Sequence, residues 1–330
     1  MKRSYYIFSK GNLLQKDNTL RFINESGEQK DIPIETIRDM YIMTDMTLTT
    51  KMLTLLSKNG APVHFFDYYQ NYRGSYYPKE TLLAGNVLVK QVNFYQDKEK
   101  RLELAKSFID AASSNIYRNL RYYNNRGKDV KAQMDTIEAL KPEILNAANI
   151  QMLMGVEGNI RKIYYSAWPI IIDQDIEFEK RVKHPPDNLI NSLISYVNSL
   201  IYTKTLTEIY NTQLNPTISY LHEPGVRRFS LCLDLSEIFK PLLCDRLIFS
   251  LLNKKQITEH SFAKNLNYLH LTKDAAQLIA SELENRLSTT IQHRQLKKQV
   301  SYQHLIRLEA YKLEKHILGE KKYSGFEIWW

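Results

Sequence analysis

The feature that most constrains this chain is a change in its hydrophobic periodicity near residue 82. Before that point, short apolar runs such as Tyr5–Phe8 and Leu20–Ile23 alternate with turn signals, a pattern typical of β-strands. After it, apolar residues recur at helical spacing, and residues 90–123 contain neither proline nor glycine. The pattern predicts an α+β fold, with a small N-terminal β domain at 1–82 and a large all-α C-terminal domain at 83–330.

Individual helices are predicted from caps, breakers and apolar spacing. In the β domain, Thr49 or Thr50 is suited to cap a short helix over Lys51–Lys58, which has one apolar face. In the α domain, five stretches have helical spacing: about 90–123, 143–168, 188–212, 234–254 and 274–318. The fourth stretch is expected to be helical despite Pro241.

Composition excludes several classes of protein. The 330 residues include only 11 glycines, and neither G-x-G-x-x-G nor G-x-x-x-x-G-K-[ST] occurs, which argues against dinucleotide and Walker-type nucleotide sites. The two cysteines, Cys232 and Cys244, make neither a disulfide scaffold nor a C-x-x-C zinc motif. The chain has no signal-peptide pattern and no apolar run near the ~18 residues of a membrane span. We therefore expect a cytoplasmic protein that does not enter a membrane.

The charge balance favours a polyanionic partner. The chain has 45 Lys and Arg against 36 Asp and Glu, a formal net charge of +9. Neutralising phosphates releases counterions, so an excess of this sign favours nucleic acid, although a basic, solvated surface explains it equally well. Residues 286–330 carry nine of the basic residues and four acids, and we predict that this segment helps to hold a DNA backbone, with ordinary helix-surface charge as the alternative. The Trp329-Trp330 end is too apolar for a free tail.

Three places in the α domain put acids and a histidine in unusual settings. Glu157 lies between Gly155 and Gly158 in a helical stretch, where glycines are costly and have a packing or functional reason. The alternative is tight helix packing with Glu157 in solvent. His222 lies in Leu221–Gly225, which does not match H-E-x-x-H, and a lone histidine is more often structural.

The third place is an acidic pair, Asp234 and Glu237, spaced i and i+3 on one helix face. A capping box, with Asp234 as the N-cap, is the alternative explanation. Taken with Glu157 and His222, the pair makes a set of oxygen and nitrogen ligands that suits Mg²⁺ or Mn²⁺ better than zinc. An ion held this way can polarise a phosphodiester, which is chemistry that a basic protein could perform on DNA.

Several motifs occur together in a specific order. They are Gly11-Asn12-Leu13 with Lys16–Leu20, Gly155-x-Glu157-Gly158, Phe178–Ser195 with Arg181 and Pro185-Pro186-Asp187, His222-x-x-x-x-Arg227, and Leu233–Glu237. With this set, the chain resembles over essentially its whole length the CRISPR spacer-acquisition integrases and endonucleases, the first core protein of the adaptation machinery, and most closely those of type I systems.

The resemblance implies roles for particular residues. Glu157, His222 and Glu237 would coordinate one divalent cation, and Asp234 matches a nearby catalytic acid. Many relatives carry Asp at the position of Glu237, which leaves the ligand assignment between Asp234 and Glu237 open. Active-site support or DNA contact is implied for four further residues: Tyr202, Lys240, Arg227 and Arg181. For Lys240 a solvated helix lysine is the alternative, and for Tyr202 core packing.

The resemblance also implies the activity and the assembly. The expected reaction inserts short foreign DNA fragments into a CRISPR array, by attack of a 3′ hydroxyl on a phosphodiester at the repeat boundary. The β domains would form a homodimer, and two dimers would flank a dimer of a small companion adaptation protein in a hetero-hexamer. The alternatives are a stand-alone metal-dependent DNA nuclease of repair or defence and a non-enzymatic basic helical DNA-binding protein.

Overall fold

The structure, a computed structural model, describes residues 2–79, 82, 84–182, 186, 188–225, 229–265 and 268–329. The chain divides into two compact units, the first made of Met1–Thr81 and Leu271–Glu284, the second of Leu82–His270 and Asn285–Trp330. The change from strands to helices confirms the predicted α+β fold with its N-terminal β region and helical C-terminal region. The predicted limits of 1–82 and 83–330 differ from these units at Leu82 and in the segment 271–284.

The first unit contains two four-stranded sheets and a short helix. Its elements are β1 (Arg3–Ile7), β2 (Gly11–Lys16), β3 (Thr19–Asn24), β4 (Gln29–Pro33), β5 (Ile37–Ile42), β6 (Met46–Leu48), α1 (Thr50–Lys58), β7 (Val63–Phe66) and β8 (Tyr72–Tyr76). One sheet has the order β1-β5-β7-β8 and the other β4-β3-β2-β6. The side chain of Thr49 accepts from the N–H of Met52, so Thr49 is the predicted cap of α1.

Both sheets contribute to one buried apolar cluster. Leu13 and Leu20 come from the second sheet, Met40 and Val63 from the first, and Leu56 from α1. Leu13 and Leu20 lie between partly exposed neighbours in β2 and β3, whereas β5 is buried along most of its length.

The segment 271–284 joins the first unit through contacts that no local pattern encodes. The Tyr6 hydroxyl donates to Glu284 Oε1 over 2.8 Å, and Gln70 Nε2 donates to the carbonyl of Leu271 over 3.2 Å. A helix pattern in the sequence identifies the helix here but not the partner on which its face packs, so the predicted boundary missed this exchange.

The remaining elements, mostly helices, follow in sequence. They are α2 (Gly85–Gln96), α3 (Lys98–Asn124), α4 (Lys131–Asn146), α5 (Ile150–Ser166), α6 (Trp168–Ile171), α7 (Leu189–Tyr210), α8 (Ser230–Lys240), α9 (Arg246–Asn253), β9 (Phe262–Asn265), β10 (Tyr268–Leu271), α10 (Lys273–Ser288), β11 (Thr290–Gln292), β12 (Gln299–Ser301) and α11 (Tyr302–Leu318). None of the helices among the described residues is long and apolar enough to cross a membrane.

Four predicted helices are divided in the structure. The stretch 143–168 covers the end of α4, all of α5 and the start of α6. The stretch 90–123 is split because the Asp97 side chain accepts from the N–H groups of Glu99 and Lys100 and so starts a new helix. Residues 234–254 form α8 and α9 joined by a π-helical turn, Pro241–Asp245, because Pro241 has no N–H for the regular ladder. The predicted stretch 274–318 is interrupted by the β11–β12 hairpin.

The C-terminal tail packs on the second unit, as its apolar sequence predicts. The Phe326 ring stacks on Phe239 of α8 at 5.2 Å between centroids. Asn115 of α3 donates to the carbonyls of both Ile238 and Phe326 over 2.9 Å. A Cβ on Gly325 would come within 2.4 Å of the Ala111 Cβ, so the close approach of the tail to α3 requires glycine there. The tail and α3 together fix the position of α8.

Candidate active site

Asp234 is a fully buried acid in the interior of α8. One carboxylate oxygen accepts from the N–H groups of Tyr220 at 2.7 Å and Leu221 at 3.0 Å. The other accepts from the N–H of His222 at 3.0 Å and from its Nδ1 at 2.8 Å. Since α8 begins at Ser230 and has no side-chain cap, the capping-box interpretation of Asp234 is wrong. This carboxylate organises the loop that carries the histidine.

The contact with Asp234 also sets the tautomer of His222. Because a carboxylate only accepts, Nδ1 carries the hydrogen of this bond, and in the neutral ring Nε2 is left with a lone pair. Within the described part of the chain, Nε2 has no hydrogen-bond partner. Arg101 holds the same loop from its other side by donating to the Tyr220 carbonyl over 2.8 Å and pairing with Glu223 at 2.7 Å. The imidazole is therefore oriented for binding through Nε2.

Glu157 and Glu237 come from different helices and share one arginine. Arg161 Nε lies 3.1 Å from Glu157 Oε1, and its terminal nitrogen pairs with Glu237 Oε2. Lys240 pairs with the second oxygen of Glu237. We call this group, together with His222 and Asp234, the carboxylate site.

The glycines beside Glu157 leave space rather than allowing a close approach. A Cβ added at Gly155 or Gly158 would meet no atom within 4 Å, so the interpretation of tight helix packing is wrong. The side chain of Glu157 is 22% exposed and is held by Arg161. It lies at the edge of a cavity rather than free in solvent.

The neighbouring cations keep Glu237 charged. Burial raises the pKa of Glu237, but Lys240 and Arg161 lower it by more, so that it falls to about 2. Burial also works against the charge on Arg161, yet Glu237, Tyr165 and Glu157 hold its pKa well above the ordinary value. The pKa of Glu237 therefore lies well below neutral pH, so this carboxylate is ionised and offers anionic oxygens without a proton to remove.

A cavity of about 410 Å³ adjoins these side chains. Its lining includes four residues that the sequence singled out: Glu157, Glu237, Lys240 and Arg181. Arg161 and Tyr165 line it as well. The cavity therefore gives both acids access to a space that holds water or a substrate group.

The donor chemistry at the carboxylate site fits Mg²⁺ or Mn²⁺. Two ionised carboxylates and one imidazole nitrogen are hard or borderline ligands, and the cavity leaves room for the waters that complete an octahedron. The three predicted ligands are not drawn together, because among the described residues no three His, Cys, Asp or Glu side chains lie close enough to hold an ion. Arg161 and Lys240 instead take the carboxylate oxygens, so these ion pairs have to open for a divalent cation to bind.

The other predicted support residues have separate positions. The Tyr202 hydroxyl accepts from the N–H of Phe229, just before α8, at 2.8 Å. Arg181 donates to Asn191 Oδ1 at 3.0 Å and to Ser195 Oγ at 2.9 Å, both on α7. Arg227 lies outside the described residues, as do Pro185 and Asp187.

Two residues at the site were missed from the sequence. Arg161 follows Glu157 by four positions, a spacing that places both on one helix face and that could have indicated the pair. Asp245 lies in the π-helical turn and accepts from the Tyr164 hydroxyl at 3.0 Å, and its burial raises its pKa to about 7. Nothing in the local sequence separates Asp245 from a surface acid.

The basic C-terminal segment is partly neutralised inside the protein. Arg307 pairs with Glu208 at 2.6 Å, Lys312 with Glu309 at 2.7 Å, and Lys322 with Glu103 at 2.8 Å. For these three residues the alternative of ordinary structural and surface charge describes what is observed.

Comparison with known proteins shows the family of this chain. Residues 5–285 match the model of the family described as CRISPR associated protein Cas1. The chain is 59% identical, over 100% of its length and 98% of the relative's, to the CRISPR-associated endonuclease Cas1 of Fusobacterium nucleatum. A solved Cas1 protein from Thermotoga maritima superposes with a TM-score of 0.88 at 37% identity, covering 98% of this chain and 100% of the other.

The fold extends beyond close relatives. A casposase bound to its integration product gives a TM-score of 0.88 at 20% identity, covering 98% of this chain and 93% of the other, which is a likeness of fold. The fold, a β-strand region followed by a helical region, defines the class of protein that the Thermotoga maritima structure represents. Within it, this chain belongs to the Cas1 family of CRISPR-associated proteins.

Proposed function

We propose that this protein is a divalent-metal-dependent DNA endonuclease and integrase of CRISPR adaptation. The observation that carries the proposal is the carboxylate site, where Glu157 and Glu237 flank one cavity and Asp234 fixes the tautomer of His222. Glu157, Glu237 and His222 would hold Mg²⁺ or Mn²⁺, with Asp234 acting through the histidine. When bound, such a cation stabilises negative charge on a phosphodiester undergoing displacement.

The residues of the chain then position the reactants. Lys240 and Arg161, once released from the carboxylates, are placed to contact phosphate oxygens from the cavity wall. The oxygen of a 3′ hydroxyl on a short DNA fragment attacks phosphorus in the repeat, one phosphodiester bond forms as another breaks, and the hydroxyl proton is lost to solvent. With water as the nucleophile, the same site cleaves DNA.

We also propose DNA as the substrate in duplex form, both as fragment and as repeat. A homodimer through the β domains and a hetero-hexamer with a small companion adaptation protein remain proposals that follow from the family, as does a cytoplasmic location. The net charge of +9 supports the choice of nucleic acid.

Strand transfer tests the function. The protein and its companion are incubated with a short duplex bearing free 3′ hydroxyls and a supercoiled repeat-bearing plasmid, with Mn²⁺, with Mg²⁺ or with a chelator. The proposal expects covalent joining that needs the cation and is lost in Glu157→Gln and His222→Asn. Cleavage without joining would favour a stand-alone nuclease. DNA binding unaffected by either substitution, with no reaction, would favour a non-enzymatic binding protein.

A further inference from the structure

Three arginines of the second unit surround two tyrosines at the end of α3. The Arg126 guanidinium carbon lies 3.7 Å from the centroid of the Tyr122 ring, and that of Arg246 lies 4.9 Å from the same centroid. Tyr123 meets Tyr122 edge to face at 5.0 Å, and Arg286 is the third arginine that acts electrostatically on Tyr123. We call these five residues the arginine–tyrosine cluster.

These arginines lack the acids that other arginines of this protein have. Arg246 Nε donates to Asn119 Oδ1 at 2.8 Å, and Arg286 donates to the Leu242 carbonyl at 3.1 Å, both of which are neutral acceptors. By contrast, Arg101, Arg161 and Arg307 each pair with a glutamate. Across the described ranges, no ion pair involves Arg126, Arg246 or Arg286.

Burial makes this uncompensated charge costly. Arg246 and Arg286 are half-buried. Desolvation lowers the pKa of both guanidiniums, and the charge of Arg246 lowers the pKa of Arg286 further. Positive groups that repel one another in a partly dry site destabilise the protein unless an anion joins them. Among the described residues, the charges that act on Arg246 and Arg286 include no acid that would offset this cost.

The geometry identifies the class of anion. Guanidinium groups bind phosphate oxygens through parallel N–H donors, and aromatic faces hold the guanidiniums in place. Tyr122 is 38% exposed and Arg126 is exposed, so a large ligand has access to the cluster. We propose that the arginine–tyrosine cluster binds backbone phosphates of the DNA substrate, at a location separate from the carboxylate site. The choice of DNA rests on the proposed function.

A chain of hydrogen bonds leads from this cluster toward the carboxylate site. Arg246 donates to Asn119, whose amide donates to the Tyr164 hydroxyl at 2.7 Å, and that hydroxyl donates to Asp245 at 3.0 Å. Asp245 in turn interacts electrostatically with Arg161. A phosphate held by Arg246 would thus fix the DNA through a rigid buried network shared with the reacting centre.

The test measures DNA binding in chelator, where no reaction occurs. A fluorescent duplex is titrated with wild-type protein, Arg246→Gln and Arg286→Gln at several salt concentrations. Each substitution should weaken binding about 10-fold and reduce the slope of log affinity against log salt by roughly 0.9, the value for one phosphate contact. Lys131→Gln, which removes an exposed charge paired with Asp135, is the matched control and should change neither quantity.

A further variant and a phosphate titration distinguish the remaining outcomes. If Arg246→Gln fails to fold, Arg126→Gln on the exposed side replaces it. Equal affinities and slopes in all variants would overturn the proposal. In another outcome, inorganic phosphate stabilises the wild type but not the variants while DNA binding is the same in all of them. That result would overturn the proposal and would indicate a site for a free anion. Because the titration is made in chelator, Arg246→Gln and Arg286→Gln should weaken binding whether or not strand transfer is observed, so a failure of the proposed catalysis is distinguishable from a failure of this site.

Discussion

The carboxylate site and the arginine–tyrosine cluster differ in how their charged side chains are neutralised. In the carboxylate site, every acid of the Glu157–Glu237 pair has a cation from the protein, Arg161 or Lys240. In the cluster, the partners of the arginines among the described residues are neutral acceptors and tyrosine faces. The first site is self-neutralised and must exchange its internal cations for an external one. The second is already open to an external anion.

With these two regions, DNA binding and catalysis would depend on different residues of one unit. A self-neutralised pair keeps anionic ligands ionised and ordered without the repulsion of two bare carboxylates in a partly buried place. The guanidiniums of the cluster, which have no ion pair among the described residues, would bind phosphate whether or not the divalent cation is present. Binding and chemistry should therefore respond to different substitutions.

Among the substitutions considered, Glu157→Gln should have the strongest effect, and it should act on strand joining. Loss of a metal-binding carboxylate should reduce strand joining at least ~10³-fold, since several kcal/mol of charge stabilisation is lost. DNA affinity measured in chelator should stay unchanged. Glu138→Gln, an exposed glutamate paired with Lys141, is the control and should join normally. A parallel fall in affinity and joining would mean that the two regions are not separate.

Arg161→Gln tests the internal cation directly. Breaking a buried ion pair from one side leaves Glu157 and Glu237 facing each other, at a cost of about 3 kcal/mol in the free energy of unfolding without metal. Mn²⁺ should recover much of this loss, so its stabilising effect, followed by urea denaturation, should be larger than in the wild type. If Mn²⁺ stabilises both proteins equally, Arg161 does not occupy the place of a divalent ion.

Asp245→Asn tests the network that connects the two regions. The folded-state pKa of Asp245 is raised by burial to about 7, so its contribution to stability is complete at low pH and is lost as pH rises toward 7. Between pH 5 and pH 7 the wild type should lose roughly 2 kcal/mol through this group, whereas the asparagine variant, which still accepts from Tyr164, should not. Unfolding free energies over this pH range decide it, and identical pH profiles would refute the assignment.

Asp234→Asn should have the smallest effect. The amide oxygen can still accept from the N–H groups of Tyr220 and Leu221, but the amide nitrogen then faces His222 and no longer fixes its tautomer, so Mn²⁺ affinity should fall about tenfold. Calorimetric titration with Mn²⁺ measures this without any reaction, and DNA affinity in chelator should not change. An unaltered Mn²⁺ affinity would show that the histidine is oriented by the loop alone.

Much of the architecture could be predicted because it is local. Short apolar runs between turn signals identify the β region, helical spacing identifies the helical stretches that follow it, and Thr49 was predicted as one of two caps from residue type. Asp97 also caps a helix, but its effect was missed because apolar spacing continues across it. The π-helical turn after α8 follows from Pro241, although spacing alone predicts an unbroken helix.

The site was predicted only as a set of residue types. Glu157, His222, Asp234 and Glu237 were identified from their order along the chain. The sequence left open whether Asp234 caps a helix or supports the histidine, because both need an acid at the same position. The burial of Asp234 and its four hydrogen bonds answer this, since only the folded loop brings His222 to its carboxylate.

Three properties follow from the sequence alone: the change from strands to helices, the positive net charge, and the identities of the acids and the histidine. They do so because periodicity, charge and side-chain chemistry are properties of the chain. Only the tertiary structure decided which charges meet. Arg161 pairs with two acids that are 80 positions apart in the chain. Segment 271–284 belongs to the first unit. Arg246 and Arg286 lie close enough to interact electrostatically, with no ion pair to an acid among the described residues. The physical reason is that desolvation and Coulomb energy depend on distance in space, which sequence separation does not encode.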